Sequence, residues 1–328
     1  MCYSTVLETI GLKYTNTMAT KIAKSEYVPG EYIAKRYEVK RAIGKGGMGM
    51  VYLVVDHKTG EPMALKTIRP EYTTSSYALH RFGREVRTIR KLNHPGIVRI
   101  RDAFRYGRLV FYTMDYVEGQ SVRELIQQRR RLGLGSTVRI LALVAHALEH
   151  AHNCTIHRDM SPENIMVLSD GSIRLLDFGL AKLTDTEPTF TRIGVTLGKH
   201  QYISPEQLLS SAEVDCRTDI YALGIIFHEM LTGRLPEKEK AITDWVPTLP
   251  ASCNAFFEKA TARNPDDRFA TAEEFRGAII DLFRAYRRDQ DEPVAAVASP
   301  SCASRPGLWA RLRSWLRRWW RREKKVTA

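Results

Sequence analysis

The chain has 328 residues, 44% of them hydrophobic, and a formal net charge of +13. That much apolar residue can bury a sizeable core and excludes a chain disordered throughout. No apolar run reaches the roughly 18 residues needed to cross a bilayer, and the N-terminus lacks the basic-then-apolar order of a secretory signal.

The five cysteines (Cys2, Cys154, Cys216, Cys253, Cys302) are odd in number, widely spaced and free of any CxxC. This pattern fits reduced thiols in the cytoplasm and not a disulfide scaffold or zinc site. Residues 305–328 hold nine Lys or Arg against one acid, Glu323, so most of the net charge belongs to the tail.

In chain order, residues 1–35 form a mixed, polar extension in which Met18-Ala-Thr-Lys has the form of an alternative start. Strand patterning begins at Tyr37–Ile43, passes through the Gly-rich Gly44-Lys45-Gly46-Gly47-Met48-Gly49, and resumes at Met50–Val55. The two runs read as a hairpin. Pro62–Ile68 is a third strand, whose alternation puts Ala64 and Lys66 on one face and Leu65 on the other. Helical spacing follows over Leu79–Leu92, with Phe82, Val86 and Ile89 on one stripe. His94-Pro95-Gly96 stops it, and short strands are expected at Ile97–Ile100 and Leu109–Met114.

Helices then dominate. They are expected over Val122–Gln128, Ser136–His152 (with Ser136 or Thr137 as N-cap), Pro205–Leu209, Thr218–Leu231, Asn254–Ala262 and Ala272–Tyr286. A hairpin through Ser169-Asp170-Gly171 joins strands at Ile165–Leu168 and Ile173–Leu176. Residues 236–250 carry little helical signal. Strands, one helix, strands, then mainly helices is a segregated α+β arrangement. The expected divisions are an N-terminal lobe at 36–116, a C-terminal lobe at 117–288, an Ala/Ser/Pro-rich linker at 289–307 and a basic tail at 308–328.

Three motifs carry chemistry. Gly44-x-Gly46-x-x-Gly49-x-Val51 is followed by a strand, where a dinucleotide fold would need a helix. A Gly-rich hairpin instead lets backbone N–H groups close over phosphates. Lys66, on the inward face of an apolar strand, is costly unless paired, and Glu85 on the next helix is the expected partner. The third is His157-Arg158-Asp159-Met160-Ser161-Pro162-Glu163-Asn164 followed by Asp177-Phe178-Gly179. An Asp, an Asn five residues on and a second Asp on the next hairpin gather one proton acceptor and two oxygen ligands for a hard cation.

These motifs, in this order and spacing, resemble the bacterial branch of the eukaryotic-like serine/threonine protein kinases. The resemblance covers about Tyr37 to Arg287 and extends to Ser204-Pro205-Glu206, Asp219 and Arg268. It implies an α+β, two-lobed protein-kinase-like fold, with ATP and Mg²⁺ bound between a β-rich N-lobe holding one key helix and a mainly helical C-lobe. It implies that Lys66, paired with Glu85, holds the ATP phosphates, that Asp159 takes or orients the substrate hydroxyl, and that Asn164 and Asp177 hold Mg²⁺. Ile43, Val51, Ala64, Met114 and Met166 would line the adenine pocket, with the backbone of Asp115 and Val117 against the base. Glu206 and Arg268 would form a buried ion pair.

The sequence departs from the family at two facing positions. The family's Lys two places after the catalytic Asp is Ser161 here, and the Thr it usually meets is Lys199 in Gly198-Lys199-His200-Gln201-Tyr202. The expectation is that the cation has crossed the contact and Lys199 serves the γ-phosphate. The segment between Thr232 and Asn264 is also shorter than usual. Thr189 and Thr191 are candidate autophosphorylation sites, with Arg158 as the cation for the phosphate, and autophosphorylation would suit a homodimer.

The expected activity is phosphoryl transfer from ATP to Ser/Thr hydroxyls of protein substrates. The alternatives are a nucleotide-binding pseudokinase scaffold and a small-molecule kinase. In the tail, Trp309, Leu312, Trp315, Leu316, Trp319 and Trp320 recur at helical spacing among arginines. This is the pattern of a helix lying on an anionic membrane surface through residues 308–325; nucleic acid is the alternative partner. The expected location is cytoplasmic, on the inner face of the membrane.

Overall fold

The computed structural model describes residues 13–15, 26–46, 49–73, 76–178, 199–209 and 214–291. The linker and tail readings, and Thr189 and Thr191, lie outside them.

A seven-stranded sheet forms the N-terminal lobe. Its strands are β1 (Lys13–Thr15), β2 (Tyr32–Ile33), β3 (Tyr37–Gly46), β4 (Gly49–Asp56), β5 (Pro62–Ile68), β6 (Ile100–Tyr106) and β7 (Leu109–Asp115), in the order β1-β6-β7-β5-β4-β3-β2. Neighbours pair antiparallel except β1, which lies parallel to β6 with Lys13 opposite Phe104. This edge strand comes from the extension that sequence patterning left without structure. Three residues are too few to show a period, and β1 is held by its pairing and by a Lys13–Asp102 ion pair of 2.7 Å.

The two faces of the sheet are distinct. Leu65 joins Tyr37, Tyr52, Phe104 and Phe111 in an outer cluster, while Ala64 packs on the inner side against Phe82 and Val86 of helix α1 (Ser76–Ile89). The β3–β4 hairpin closes with Gly46 opposite Gly49. Gly49 is required there, because a Cβ would lie 1.7 Å from the Thr67 carbonyl oxygen.

The expected strand at Ile97–Ile100 is not formed as such, since β6 begins at Ile100. The segment before it docks instead on β10 (Ile173–Leu175) of the other lobe. Val98 N donates to Leu175 O and Leu175 N to Gly96 O, and this satisfies backbone groups that must find partners once buried.

The C-terminal lobe comprises β8 (Gln120–Ser121), α2 (Val122–Arg129), α3 (Leu134–His152), β9 (Ile165–Val167), β10, α4 (Pro205–Leu209), α5 (Arg217–Thr232), α6 (Ile242–Trp245), α7 (Ser252–Ala260) and α8 (Ala272–Asp291). Ser121 caps α2 in a capping box with Glu124. Helix α3 starts earlier than its expected cap: Gly133 is the N-cap and its carbonyl accepts from Ser136 N and Thr137 N, while Leu134 and Thr137 are buried. Burial of that first turn outweighs the lost side-chain cap. Helix α5, buried almost all round, ends at Gly233 in the left-handed region with φ 75°. Between Pro236 and Pro250 only the four residues of α6 are helical, in line with the weak signal there. No helix of the described residues is long and apolar enough to cross a membrane.

Candidate active site

The catalytic loop is built around one buried carboxylate. Asp219, in the first turn of α5 and 1% exposed, accepts from the backbone N–H of His157 and of Arg158 (2.8 Å each) and from His152 Nε2 (2.9 Å). Arg158 takes a left-handed φ of 63°, a conformation that costs free energy outside glycine and needs such anchoring. Beyond it, Asp159 N donates to His157 Nδ1, and His157 Nε2 donates to the Leu176 carbonyl at 2.8 Å. The ring of His157 also packs on Phe178 at 4.5 Å between centroids. His157 and Phe178 therefore pack and hold the loops in place.

Asn164 is nearly buried. Its amide nitrogen donates to the Asp159 carbonyl (2.6 Å) and to Asp159 Oδ2 (3.2 Å), so its oxygen is turned away from both. Leu176 N donates to the Asn164 carbonyl at 2.9 Å, which stitches the loop carrying Asp177 to the loop carrying Asp159. Asp177 too is held at a left-handed φ, 50°. An amide oxygen and a carboxylate on two joined loops make an all-oxygen donor set of the kind Mg²⁺ accepts, with phosphates and waters completing its shell. The residues present thus fit that ion.

Lys66 departs from expectation. Its ammonium, 10% exposed at the side chain, pairs with Asp177 Oδ2 at 2.8 Å, and among the described residues no ion pair joins it to Glu85. A buried ammonium needs a carboxylate partner, and here Asp177 supplies it. Asp177 Oδ1 in turn accepts from the Tyr112 hydroxyl at 3.0 Å. Burial first, and the Asp177 charge second, raise the Tyr112 phenol well above its ordinary pKa, so it stays a donor.

Sequence reasoning passed over Tyr112 as one more core residue of an apolar strand. The available signal was its place two residues before Met114, on the same face.

The expected adenine-pocket residues fall on the elements around this cleft. Ala64 stands opposite Met114 across β5 and β7, Gly44 stands opposite Val51, and Ile43, Val51 and Val117 pack on the inner core. Met166 sits half-buried on β9, and Asp115 ends β7.

A second network was not foreseen. Arg123 of α2 donates to Glu163 of the catalytic loop (2.8 Å), to the Tyr202 hydroxyl (2.6 Å) and to Glu229 of α5. Burial opposes the Arg123 charge, but Glu229 and Glu163 outweigh it and raise its pKa. Tyr202 ends a short 3-10 turn that starts at Lys199. The Lys199 side chain lies outside the described residues. Ser161 is buried, with its hydroxyl beside the Glu163 carboxylate. The expected Glu206–Arg268 pair is present and bidentate, at 2.7 and 2.8 Å.

Residues 37–282 match the model of the protein kinase domain. The chain belongs to the protein kinase domain family. It is 35% identical over 277 residues to the serine/threonine-protein kinase PrkC of Bacillus subtilis, covering 80% of this chain and 42% of that one. It is 34% identical to the serine/threonine-protein kinase pkn3 of Myxococcus xanthus, covering 82% and 53%. The chain thus spans about half the length of these curated relatives. Among solved structures, the PknI kinase domain of Mycobacterium tuberculosis matches with a TM-score of 0.65 at 29% identity, over 79% of this chain and all of that one. The kinase expectation for fold and family is met, and these relatives lend no support to a scaffold without activity.

Proposed function

We propose that this kinase transfers the γ-phosphoryl group of ATP to Ser/Thr hydroxyls of protein substrates. One observation carries the reading: Lys66 of β5 pairs with Asp177, and a backbone hydrogen bond joins the loop carrying Asp177 to the loop carrying Asp159 and Asn164. Asp159 accepts the proton of the attacking hydroxyl, and the Asn164 amide on Oδ2 fixes the rotation of that carboxylate. Lys66 supplies a cation for the phosphates. Asn164 and Asp177 would hold Mg²⁺, which when bound offsets the charge of the phosphate oxygens. Incubation of the chain with γ-labelled ATP and a general protein substrate should put acid-stable label on Ser and Thr with Mg²⁺, and none with a chelator. Label transferred equally in chelator would sink this reading.

We infer further that Lys199 takes the place of the family's catalytic-loop lysine. Ser161 is buried beside Glu163, and Arg123 ties Tyr202, three residues after Lys199, to the same Glu163 of the catalytic loop. Loss of one cation at a developing phosphate charge lowers the rate about 10²- to 10³-fold. Lys199→Ala should show that drop, and Ser161→Lys in the same background should recover most of it. Full activity in Lys199→Ala would end the idea.

The composition of residues 308–328 supports peripheral contact with anionic lipid. The chain should float with anionic vesicles and not with neutral ones, and should lose this on removal of residues 305–328.

A further inference from the structure

Tyr112 and Lys66 are direct cross-strand partners of β7 and β5. Their side chains therefore leave the same face of the sheet as neighbours. Both end on one carboxylate: Lys66 Nζ on Asp177 Oδ2, and the Tyr112 hydroxyl on Asp177 Oδ1. The two contacts differ in kind. An ammonium on a flexible stem can exchange one anion for another, and Lys66 has the ATP phosphates to serve. The Tyr112 ring is 1% exposed and packs against Phe82 of α1, with centroids 6.3 Å apart. A hydroxyl buried that deeply keeps its acceptor, because no water can replace it. Packing alone would be met by a phenylalanine, so the oxygen is the informative atom.

We propose that Tyr112 is a positioning residue for the metal-binding carboxylate: by holding Asp177 Oδ1 it fixes the rotation of the carboxyl group and presents Oδ2 as the metal-binding oxygen. The inference rests on the kinase reading. Its physical basis is general. A carboxylate that binds metal through one oxygen is oriented by hydrogen bonds to the other, and losing such an outer contact lowers metal affinity about 10- to 100-fold.

The test is equilibrium binding of a fluorescent ATP analogue to the full chain, without turnover, titrated with Mg²⁺. Tyr112→Phe keeps the ring on Phe82 and removes only the oxygen. The Mg²⁺ concentration at the midpoint should rise about 10-fold or more, while nucleotide affinity in chelator stays near that of the wild type. A general packing defect would weaken both together and would overturn the proposal. A midpoint that is unchanged or lower also overturns it, the lower value marking a latch that the metal must break. Tyr112→Met, a second apolar replacement, should shift the midpoint the same way, and it decides the matter if the Phe variant fails to fold. Wild-type chain that binds the nucleotide no better with Mg²⁺ than in chelator would overturn the kinase reading as well. A wild-type metal response that both variants retain overturns this inference alone.

Discussion

Asp159→Asn should lower kcat about 10²- to 10⁴-fold, the range general-base catalysis supplies, with the KM for ATP little changed. The replacement is nearly isosteric, so the loop should keep its shape. His157 still receives the Asp159 N–H, Asn164 still donates to the Asp159 carbonyl, and Asp219 still holds the backbone ahead of them. What is lost is a carboxylate able to take a proton. The Asn164 amide also loses its charged acceptor on Oδ2 and faces a neutral amide oxygen instead. Initial rates at saturating ATP, with nucleotide affinity measured in parallel, check this. A variant with more than a tenth of wild-type kcat would remove Asp159 from the role of base.

Arg268→Met should destabilise the domain by about 3–5 kcal/mol, the usual result of stranding one member of a buried ion pair. The Arg268 side chain is fully buried. Beyond the two bonds to Glu206 it donates to the carbonyls of Ala262, Arg217 and Arg263. The substitution therefore leaves a carboxylate without its counter-charge and three carbonyl oxygens short of a donor. Against a total stability of about 5–15 kcal/mol this is a large fraction.

The urea midpoint should fall by on the order of 1–2 M. Adding Glu206→Leu should return part of the loss, because a pair replaced as a whole is far less costly than a pair halved. Burial raises the Glu206 pKa, and Arg268 more than offsets this, so the net shift is downward. The folded pKa is depressed, so this contribution is complete above the unfolded glutamate value and is lost as pH falls through the folded one. A midpoint shift in Arg268→Met that did not shrink in acid would contradict this account.

Much of this was readable in the residues, and what escaped has physical reasons. The strands from Tyr37 to Ile68 and the helices α3, α5 and α8 are long, strongly patterned elements, and each lies within a few residues of where its pattern put it. Asp159, Asn164 and Asp177 could be placed because motif spacing fixes which loop carries each of them. The partner of Lys66 could not. Periodicity puts a lysine on a face but does not choose between two carboxylates that reach that face from different lobes.

Tyr112 was hidden for a related reason. Its role needs the register between β5 and β7, which no single strand carries, and a tyrosine among Leu109, Val110 and Phe111 looks like core. The network of Arg123, Glu163, Tyr202 and Glu229 joins residues up to 106 positions apart, and charged residues so separated give no local signal of meeting. The N-terminal edge strand was the opposite case, too short for any pattern to register.

That edge strand bears on how the chain is made. The lysine that opens it is bonded to an aspartate 89 positions further on. Contacts of such span form late, because the intervening loop must be closed before they repay its entropy. During synthesis the segment leaves the ribosome well before its partner strand exists, and in refolding the five inner strands can assemble without it, through the β3–β4, β4–β5 and β6–β7 hairpins and the β5–β7 pairing that spans α1. The outer rim of the sheet is therefore completed last, by a segment that precedes every other strand of that sheet in the chain.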